Sequence, residues 1–400
     1  MLKALLRFSL TQRLFVCVAA LALAGLGLRA WLALPIDAYP DIAPTQVKLI
    51  LKVPGMTAEE IEQRVTYPLE TELLGIPRQS MLRSTTKYAI TDITLDFVDG
   101  TDIYWARQQV NERLAGILDG LPFPVEGGLA PMSTPISEMF MFTIENPRLS
   151  LQDKRQLLEW EIRPALRTVA GVADVNVLGG YARTYQVTPH PVVLSELGLG
   201  IDALEAAIVE QNLNAGVGRI LLGNDVLVVR VEGQVHSLEA LQDIVVHSGP
   251  AGVYRLRDVA DVEIGHLARY GAVTRNGEEA VQGLVIALRD SNTGAVVDGV
   301  KARLAELEKT LPAGTEINVF YDRARLISTA IGTISSALFQ AILLVIAVLT
   351  VFLGNLRAAL VVSISLPLAA LATFLLMSGT GLTANLMSLG GLVIAIGMLV

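Results

Sequence analysis

The methionine sulfurs of this sequence are one set of candidate ligands for a metal ion. Met132, Met139 and Met141 all lie in the stretch PMSTPISEMFMF. Thioether sulfur is a soft ligand that suits Cu(I) and Ag(I). Side chains alternate between the faces of a strand, so Met139 and Met141 share one face and two phenylalanines share the other. The alternative is that the methionines only fill a hydrophobic core, which is their commoner use.

A carboxylate beside this methionine pair is the second candidate ligand. Glu138 directly precedes Met139, and carboxylate oxygens suit borderline ions such as Zn²⁺. The alternative is an ordinary solvated glutamate at a strand end. The four histidines lack the spacing typical of metal ligands and are expected at surfaces or interfaces: His190, His236, His247 and His266.

Two other features have simpler interpretations than chemistry. Asp37 and Asp41 could gather cations, but aspartates in a proline-bounded segment more often form turns, and we interpret them so. The stretch GGLVIAIG (390–397) has no lysine and lies in an apolar run, where small residues let helices pack closely. No phosphate-binding loop is predicted, so we expect an ion gradient, carried by intramembrane carboxylates, as the energy source. The apolar runs of this chain contain no carboxylate.

The composition predicts that part of this chain forms membrane helices. The sequence is 52% hydrophobic and 18% charged, which is too apolar for an ordinary water-soluble protein. Membrane-spanning helices are predicted at 14–34, 333–353, 358–378 and 385–400. A cleaved signal peptide is the alternative for the first, but its apolar run is longer than usual and has no clear cleavage site. The last one is shorter than a full span, so we expect this chain to be part of a longer protein.

Basic residues predict the orientation of these helices. Three of them precede the first span: Lys3, Arg7 and Arg13. The amino-terminal segment 1–13 and Arg357, between the second and third spans, are therefore expected on the cytoplasmic side, and residues 35–328 outside. The only cysteine, Cys17, lies in the first span, so the outer region has no disulfide. The net charge of −8 gives no reason to expect nucleic-acid binding.

The outer region repeats one order of elements, strand, helix, strand, strand, helix, strand, which is the ferredoxin-like split β-α-β. In the first copy, residues 35–133, a capping box at Thr57 begins a helix with apolar residues at every fourth position, and Pro68 is expected to bend it. The second copy, residues 134–328, is interrupted between its third strand, ARTYQVTP, and its fourth, from Leu197 to about His266. The inserted subdomain as a whole is assigned to about 181–267. The predicted fold is thus a polytopic membrane protein with an α-helical transmembrane bundle and a large α+β head.

Six stretches spread over nearly the whole chain carry a family resemblance: LPIDAYPDIAPTQV, PGMTAEEIEQRVTYPLETELLGIP, DGTDIYWARQQVNERL, GVADVNVLGG, FYDRARLI and VFLGNLRAALVVSISLPLA. In residues and in order, the sequence resembles the heavy-metal efflux branch of the resistance-nodulation-division transporters. The resemblance implies that the two repeats are porter subdomains, the insertion is half of a docking domain, and the spans are membrane helices one to four. Known members have twelve helices and a duplicated second half, so this chain resembles their first part only.

The resemblance also implies a function and partners. It implies a proton-driven exporter in the bacterial inner membrane, working as a homotrimer with a periplasmic adaptor and an outer-membrane channel. The exporter would have a periplasmic head, a lipid bilayer around its helices and no resident cofactor. Its substrate would be a metal ion, either Cu⁺ and Ag⁺ or Zn²⁺, Co²⁺ and Cd²⁺. It would not be an enzyme but a cation/proton antiporter.

The same resemblance implies roles for individual residues. Glu138 matches a position in the first porter cleft where divalent-metal members carry an acid. Met387 matches a methionine of the membrane relay in transporters of monovalent metals, whereas Met398 is shifted by one position from the second relay methionine. The aspartate that carries protons in the family would follow Val400.

Two rival functions remain open at this level. An exporter of organic molecules would need an aromatic-lined pocket, and aromatic residues make up 6% of the chain, with a local pair at Phe140 and Phe142. A membrane-anchored sensor or assembly protein would bind ligands without transporting them. The absence of an aspartate in the fourth helix of the complete protein would favour that rival.

Overall fold

The structure is a computed structural model that describes residues 8, 11–34, 42–134, 136–222, 225–249, 252–289, 291–355, 361 and 364–398. Their contacts divide the chain into two compact units. The first unit is Met1–Glu145, Glu161–Val177 and Gln282–Val400, and the second unit is Asn146–Trp160 and Leu178–Val281. The predicted turn residues Asp37 and Asp41 and the predicted topology anchor Arg357 lie outside the described residues.

The described strands are numbered in chain order. They are β1 (Gln46–Lys52), β2 (Gln79–Lys87), β3 (Ile90–Phe97), β4 (Glu126–Leu129), β5 (Glu138–Glu145), β6 (Val172–Gly179), β7 (Arg183–Pro189), β8 (Ala215–Leu222), β9 (Asp225–Val231), β10 (Val245–Gly249), β11 (Gly252–Arg255), β12 (Ala260–His266), β13 (Val273–Arg275), β14 (Glu278–Ala287) and β15 (Glu316–Asp322).

The described α-helices are numbered in the same way. They are α1 (Arg13–Ala33), α2 (Ala58–Ile61), α3 (Tyr67–Leu73), α4 (Ile103–Ile117), α5 (Leu151–Leu157), α6 (Arg163–Arg167), α7 (Pro191–Leu197), α8 (Ile201–Gln211), α9 (Leu238–Gln242), α10 (Leu256–Val259), α11 (Thr293–Leu307), α12 (Arg323–Leu353), α13 (Ser365–Thr380) and α14 (Leu386–Met398).

The first sheet has the strand order β2-β3-β1-β4. Its central strand β1 is antiparallel to both neighbours, with Leu49 opposite Ile93 on β3 and Leu129 on β4. The apolar face predicted from the four-residue spacing is buried against this sheet in one core: Ile61, Val65, Leu69 and Leu73, each 0–1% exposed. The capping box at Thr57 is present, with Glu60 as its partner. The prediction of this helical face is therefore confirmed.

Both repeats contain a π turn just before a proline. The turn Glu62–Thr66 lies between α2 and α3 and precedes Pro68, and the turn Leu158–Ile162 lies between α5 and α6 and precedes Pro164. A proline cannot donate to the carbonyl four residues earlier, and its ring crowds that carbonyl. A π turn moves the hydrogen bonds to the residue five positions back, as seen where Tyr67 N donates to Glu62 O. The bend expected at Pro68 is thus accommodated by a π turn.

The second sheet repeats the strand order of the first. β6 pairs with β14, β14 with β5, and β5 with β15, so the order β6-β14-β5-β15 matches β2-β3-β1-β4. The prediction that ARTYQVTP is the third strand of the second repeat is wrong. The expected third strand, β7, pairs instead with β12 in a separate ladder, so the interruption falls between β6 and β14, the second and third strands of the repeat. An alternating pattern identifies a strand but not its partner.

The second unit has its own core. Buried residues from α7 to β12 form one cluster that includes Leu194, Leu204, Leu256 and Val259. The hairpin of β8 and β9 is a separate two-stranded sheet, with Ala215 opposite Val231. Two-stranded ribbons are marginally stable alone in water.

The apolar helices belong to the first unit. Among the described residues, α1 alone is both long enough and apolar enough to cross a bilayer, with a mean hydropathy of 2.0. Shorter apolar helices are Leu343–Phe352, within α12, and α13. Trp31 of α1 lies against Phe374 of α13, with ring centroids 4.4 Å apart. The start of the predicted third span lies outside the described residues.

Candidate metal site

Strand β5 carries three of the four predicted metal ligands. Glu138 is the first residue of the strand and is exposed, Met139 is 1% exposed, and Met141 is half-buried. Glu138 and Met141 are therefore partly accessible as residues, whereas Met139 is enclosed. A metal ion could reach Met139 only if the packing over this strand opened.

The other face of β5 is filled by the aromatic pair. Phe140 and Phe142 are each 0% exposed, and their ring centroids lie 6.1 Å apart. Gly283 on β14 makes room for them, because a Cβ atom built on it would lie 2.4 Å from Phe142 Cζ. The two rings belong to the core, and they do not line an open aromatic pocket.

Strand β15 forms the edge next to the candidate ligands. Tyr321 lies opposite Met141, and Asp322 lies opposite Phe140. The register shifts between Val319 and Tyr321, which leaves Phe320 57% exposed at a bulge. Bulges locally bend a strand and re-aim its side chains. The half-buried Met141 therefore lies beside an irregular edge.

The segment that enters β5 is held by hydrogen bonds to its backbone. Ala287 N donates to Ser137 O at 2.9 Å, and the guanidinium of Arg323 donates to Ile136 O. Thr134 N donates to Ser137 Oγ at 2.8 Å. Glu138 therefore begins its strand from a fixed backbone, although its own side chain is exposed.

An ion pair missed by the sequence reasoning lies where β15 ends. Lys301 Nζ on α11 is 2.5 Å from Asp322 Oδ2, and Asp322 Oδ1 accepts from Arg325 N at 3.1 Å as the N-cap of α12. Burial acts to raise the pKa of Asp322, but the hydrogen bond from Lys301, the backbone N–H groups of Arg325 and Ala324 and the charge of Lys301 together lower it. An aspartate directly before a helix predicts an N-cap from the sequence alone. The sequence does not predict which residue of α11 pairs with it.

The fourth predicted ligand, Met387, lies on the apolar helix α14. Its side chain is 68% exposed, and its backbone N donates to Asn385 Oδ1 at 3.0 Å. Asn385 is 6% exposed and also accepts from Ser388 N, so it caps the helix. Met398, on the same helix, is 78% exposed. The structure does not place Met387 on the same element as the three ligands of β5.

The remaining charged candidates do not form a closed metal site. Within the described part of the chain, no group of three or more His, Cys, Asp and Glu side chains could hold a metal ion. His190 Nε2 is 3.5 Å from Asp261 Oδ1, and the ring of His266 lies 4.6 Å from that of Tyr181. Both histidines lie in the second unit.

An open groove of about 810 Å³ lies beside β4 in the first unit, and it does not suit a cation. Lys52 and Arg107 both line it. Burial lowers the pKa of Arg107, but a guanidinium stays protonated in proteins. Two positive charges repel a metal ion, so β5 remains the better candidate.

Comparison with known proteins agrees with the resemblance. The AcrB/AcrD/AcrF family profile matches residues 5–400. The cobalt-zinc-cadmium resistance protein CzcA of Cupriavidus metallidurans is 39% identical over 401 residues, which are 98% of this chain and 38% of that protein. The cation efflux system protein CusA of Escherichia coli is 36% identical over 404 residues, which are 100% of this chain and 39% of that protein.

A solved structure is similar as well. The crystal structure of a heavy metal efflux pump matches with a TM-score of 0.88 and 34% identity, over 96% of this chain and 39% of that one. The chain therefore spans about two fifths of the length of the proteins it matches.

Proposed function

Since this chain belongs to the AcrB/AcrD/AcrF family and matches the amino-terminal part of its heavy-metal members, we propose that the protein containing it exports heavy-metal cations across the bacterial inner membrane. The observation that carries the proposal is the similarity to pumps of this kind along 96–100% of the chain. Export is driven by protons, and the carboxylates that carry them lie outside the apolar helices of this chain.

The two sheets act as porter subdomains, and the second unit acts as part of a docking domain. Support comes from the matching strand orders of the two sheets. The two-stranded hairpin of β8 and β9 supports docking, because such a ribbon gains stability when another surface covers it. The protein works as a homotrimer with a periplasmic adaptor and an outer-membrane channel, and four helices of this chain lie in the bilayer.

The transported ion contacts the porter head at β5. The ion first meets Glu138, which is exposed, and then Met141, which is half-buried. Met139 becomes a ligand only when the packing over the strand loosens, as alternating access requires. Met387 serves in the membrane part of the path. A soft sulfur beside a carboxylate suits either Cu⁺ and Ag⁺ or Zn²⁺, Co²⁺ and Cd²⁺.

Metal accumulation in cells that carry the full-length gene tests this proposal. The variants are Glu138→Ala and Met141→Ala, with Glu316→Ala as the control, because Glu316 is an exposed glutamate at the other end of the same sheet. Accumulation should rise in the first two variants and stay unchanged in the control. Unchanged accumulation in Glu138→Ala removes Glu138 from the path, and no metal export by the unsubstituted protein refutes the function.

The rival functions have separate tests. An organic substrate is disfavoured because the aromatic pair of β5 is fully buried. Export of organic cations by the unsubstituted protein, with metal accumulation unaffected, would reverse that conclusion. A non-transporting sensor would be supported if the fourth helix of the complete protein contained no aspartate.

A further inference from the structure

Two short segments carry the chain into the two sheets of the first unit. Residues 42–45 lead into β1, and a second segment, of which residues 130–134 and 136–137 are described, leads from β4 into β5. The second segment joins the first sheet to the second, so a change in the angle between the sheets acts on it directly. The hydrogen bonds that they make therefore decide how freely the sheets can move.

The first segment is joined to the first sheet. Phe97 N donates to Thr45 O at 2.8 Å, and Thr45 Oγ1 donates to Thr101 O at 3.0 Å. Thr45 is 7% exposed. A side chain that binds the neighbouring Ala43 and Pro44 is therefore linked to the first sheet through Thr45.

Each end of the second segment is held by an arginine. Arg107 on α4 donates to Ala130 O at 2.5 Å and to Leu129 O at 3.2 Å. At the other end, Arg323 donates to Ile136 O. The two ends of the segment are thus held by residues of α4 and α12, respectively.

Arg289 is bonded to both segments at once. It follows β14, the central strand of the second sheet, and its backbone N donates to Met132 O at 3.0 Å. Its guanidinium donates to Ala43 O at 3.1 Å and to Pro44 O at 3.3 Å. A residue of the second sheet therefore holds the segment that leads into the first sheet.

The chemistry of this contact allows its hydrogen bonds to break and form again. The planar guanidinium has several N–H donors in a fixed fork, so it can reach two successive carbonyls, whereas an ammonium acts as a point charge. Arg289 is half-buried and its bond to Pro44 O is exposed, so breaking the contact leaves no charge stranded in the core.

We propose that Arg289 is a positioning residue that fixes the angle between the two sheets by binding both connecting segments. Its side chain releases the segment at residues 43 and 44 when the sheets move during transport, and binds it again when they return. Its role in transport rests on the proposed export function, whereas its role in fixing the angle does not.

Distances between spin labels in the full-length protein test the angle. Labels are placed at Ser84 on β2 and at Lys309 after α11, both exposed. The native cysteines of the full-length protein, Cys17 among them, are replaced by Ser, and excess unlabelled protein is added. Arg289→Lys should broaden the distance distribution at least about twofold. The control Arg303→Lys, on a residue that pairs with Glu306 on its own helix, should leave it unchanged.

Transport by the same variants tests the role in the cycle. Arg289→Lys should lower the maximal export rate at least about threefold and change KM less than about twofold, because no proposed metal ligand is altered. A general loss of packing would also weaken metal binding. A broadened distribution in a protein that exports no metal supports the positioning role and refutes the export function.

Specific results would overturn the proposal. The distribution in the unsubstituted protein must be narrow, and a broad one there refutes the proposal without any variant. An unchanged distribution in Arg289→Lys also refutes it, as does equal broadening in the control. Arg289→Gln, which keeps an amide donor but no charge, is measured in parallel, and an unchanged distribution there counts equally against the proposal.

Discussion

Replacing Asp322 by Asn removes one charge at the point where a strand of the second sheet continues directly into α12. Asn is as good an N-cap as Asp, so the bond to Arg325 N is kept and mainly the ion pair with Lys301 is lost. The Asp322 side chain is 11% exposed and that of Lys301 is 46% exposed. The pair is thus intermediate in exposure between a fully exposed ion pair and a buried hydrogen bond to a charged group.

These two kinds of interaction bound the free energy that Asp322→Asn should remove. Exposed ion pairs contribute about 0.2–1 kcal/mol, and hydrogen bonds to charged groups contribute about 1.5–3 kcal/mol. We expect about 1–2 kcal/mol for this partly buried pair, equal to a change of about 5-fold to 30-fold in the local opening equilibrium. Hydrogen exchange of the first turn of α12, followed by mass spectrometry on the full-length protein, should accelerate by that factor.

The pH dependence has a definite sign. The folded-state pKa of Asp322 is lowered, so the pair stabilises the fold above the ordinary carboxyl pKa of about 4. That contribution is lost as pH falls through the lowered folded pKa. The difference in exchange between the unsubstituted protein and Asp322→Asn should therefore be full at neutral pH and shrink in that acidic range.

A matched variant makes this prediction refutable. Asp102 caps α4 by accepting from Trp105 N at 2.7 Å and is exposed. Asp102→Asn should change exchange at the start of α4 by less than about 2-fold, since Asn caps as well as Asp. Equal changes in the two variants, or none in Asp322→Asn, would show that the pair with Lys301 does not stabilise the start of α12.

Two glycine substitutions test close packing. In Gly283→Ala the new Cβ would lie 2.4 Å from the Phe142 ring. We therefore expect the free energy of unfolding to fall by about 1–3 kcal/mol, measured as a lower thermal unfolding temperature. An unchanged temperature would contradict the packing of β5. In Gly27→Ala the Cβ would lie 2.6 Å from Leu371 O, whereas Gly25→Ala meets nothing within 4 Å. Gly27→Ala should therefore lower the unfolding temperature in detergent and Gly25→Ala should not, and equal effects would refute the contact between α1 and α13.

Local patterns predicted the elements well where one face of an element is buried. The helix from α2 to α3 has apolar residues at every fourth position, and the residues so identified are its buried face. The capping box at Thr57 also depends on residues only three positions apart. Such features depend on neighbours in sequence, so the sequence alone predicts them.

The alternation in β5 could not predict its burial. Methionine and phenylalanine alternate, so both faces are apolar and the pattern fits core packing as well as a metal-binding face. The structure leaves Met141 half-buried and buries Met139, because elements from other parts of the chain cover the strand. The accessibility of each candidate ligand therefore depends on packing.

The family and the existence of two repeats could be predicted from the sequence, because they depend on composition and short motifs. Three contacts instead depend on tertiary folding: the pairing of β7 with β12, the ion pair of Lys301 with Asp322, and the hydrogen bonds of Arg289 to residues 43 and 44. Arg289 is separated from Pro44 by 245 positions. Contacts at that separation form only when the sheets have folded, since no local pattern encodes which distant carbonyl a guanidinium meets.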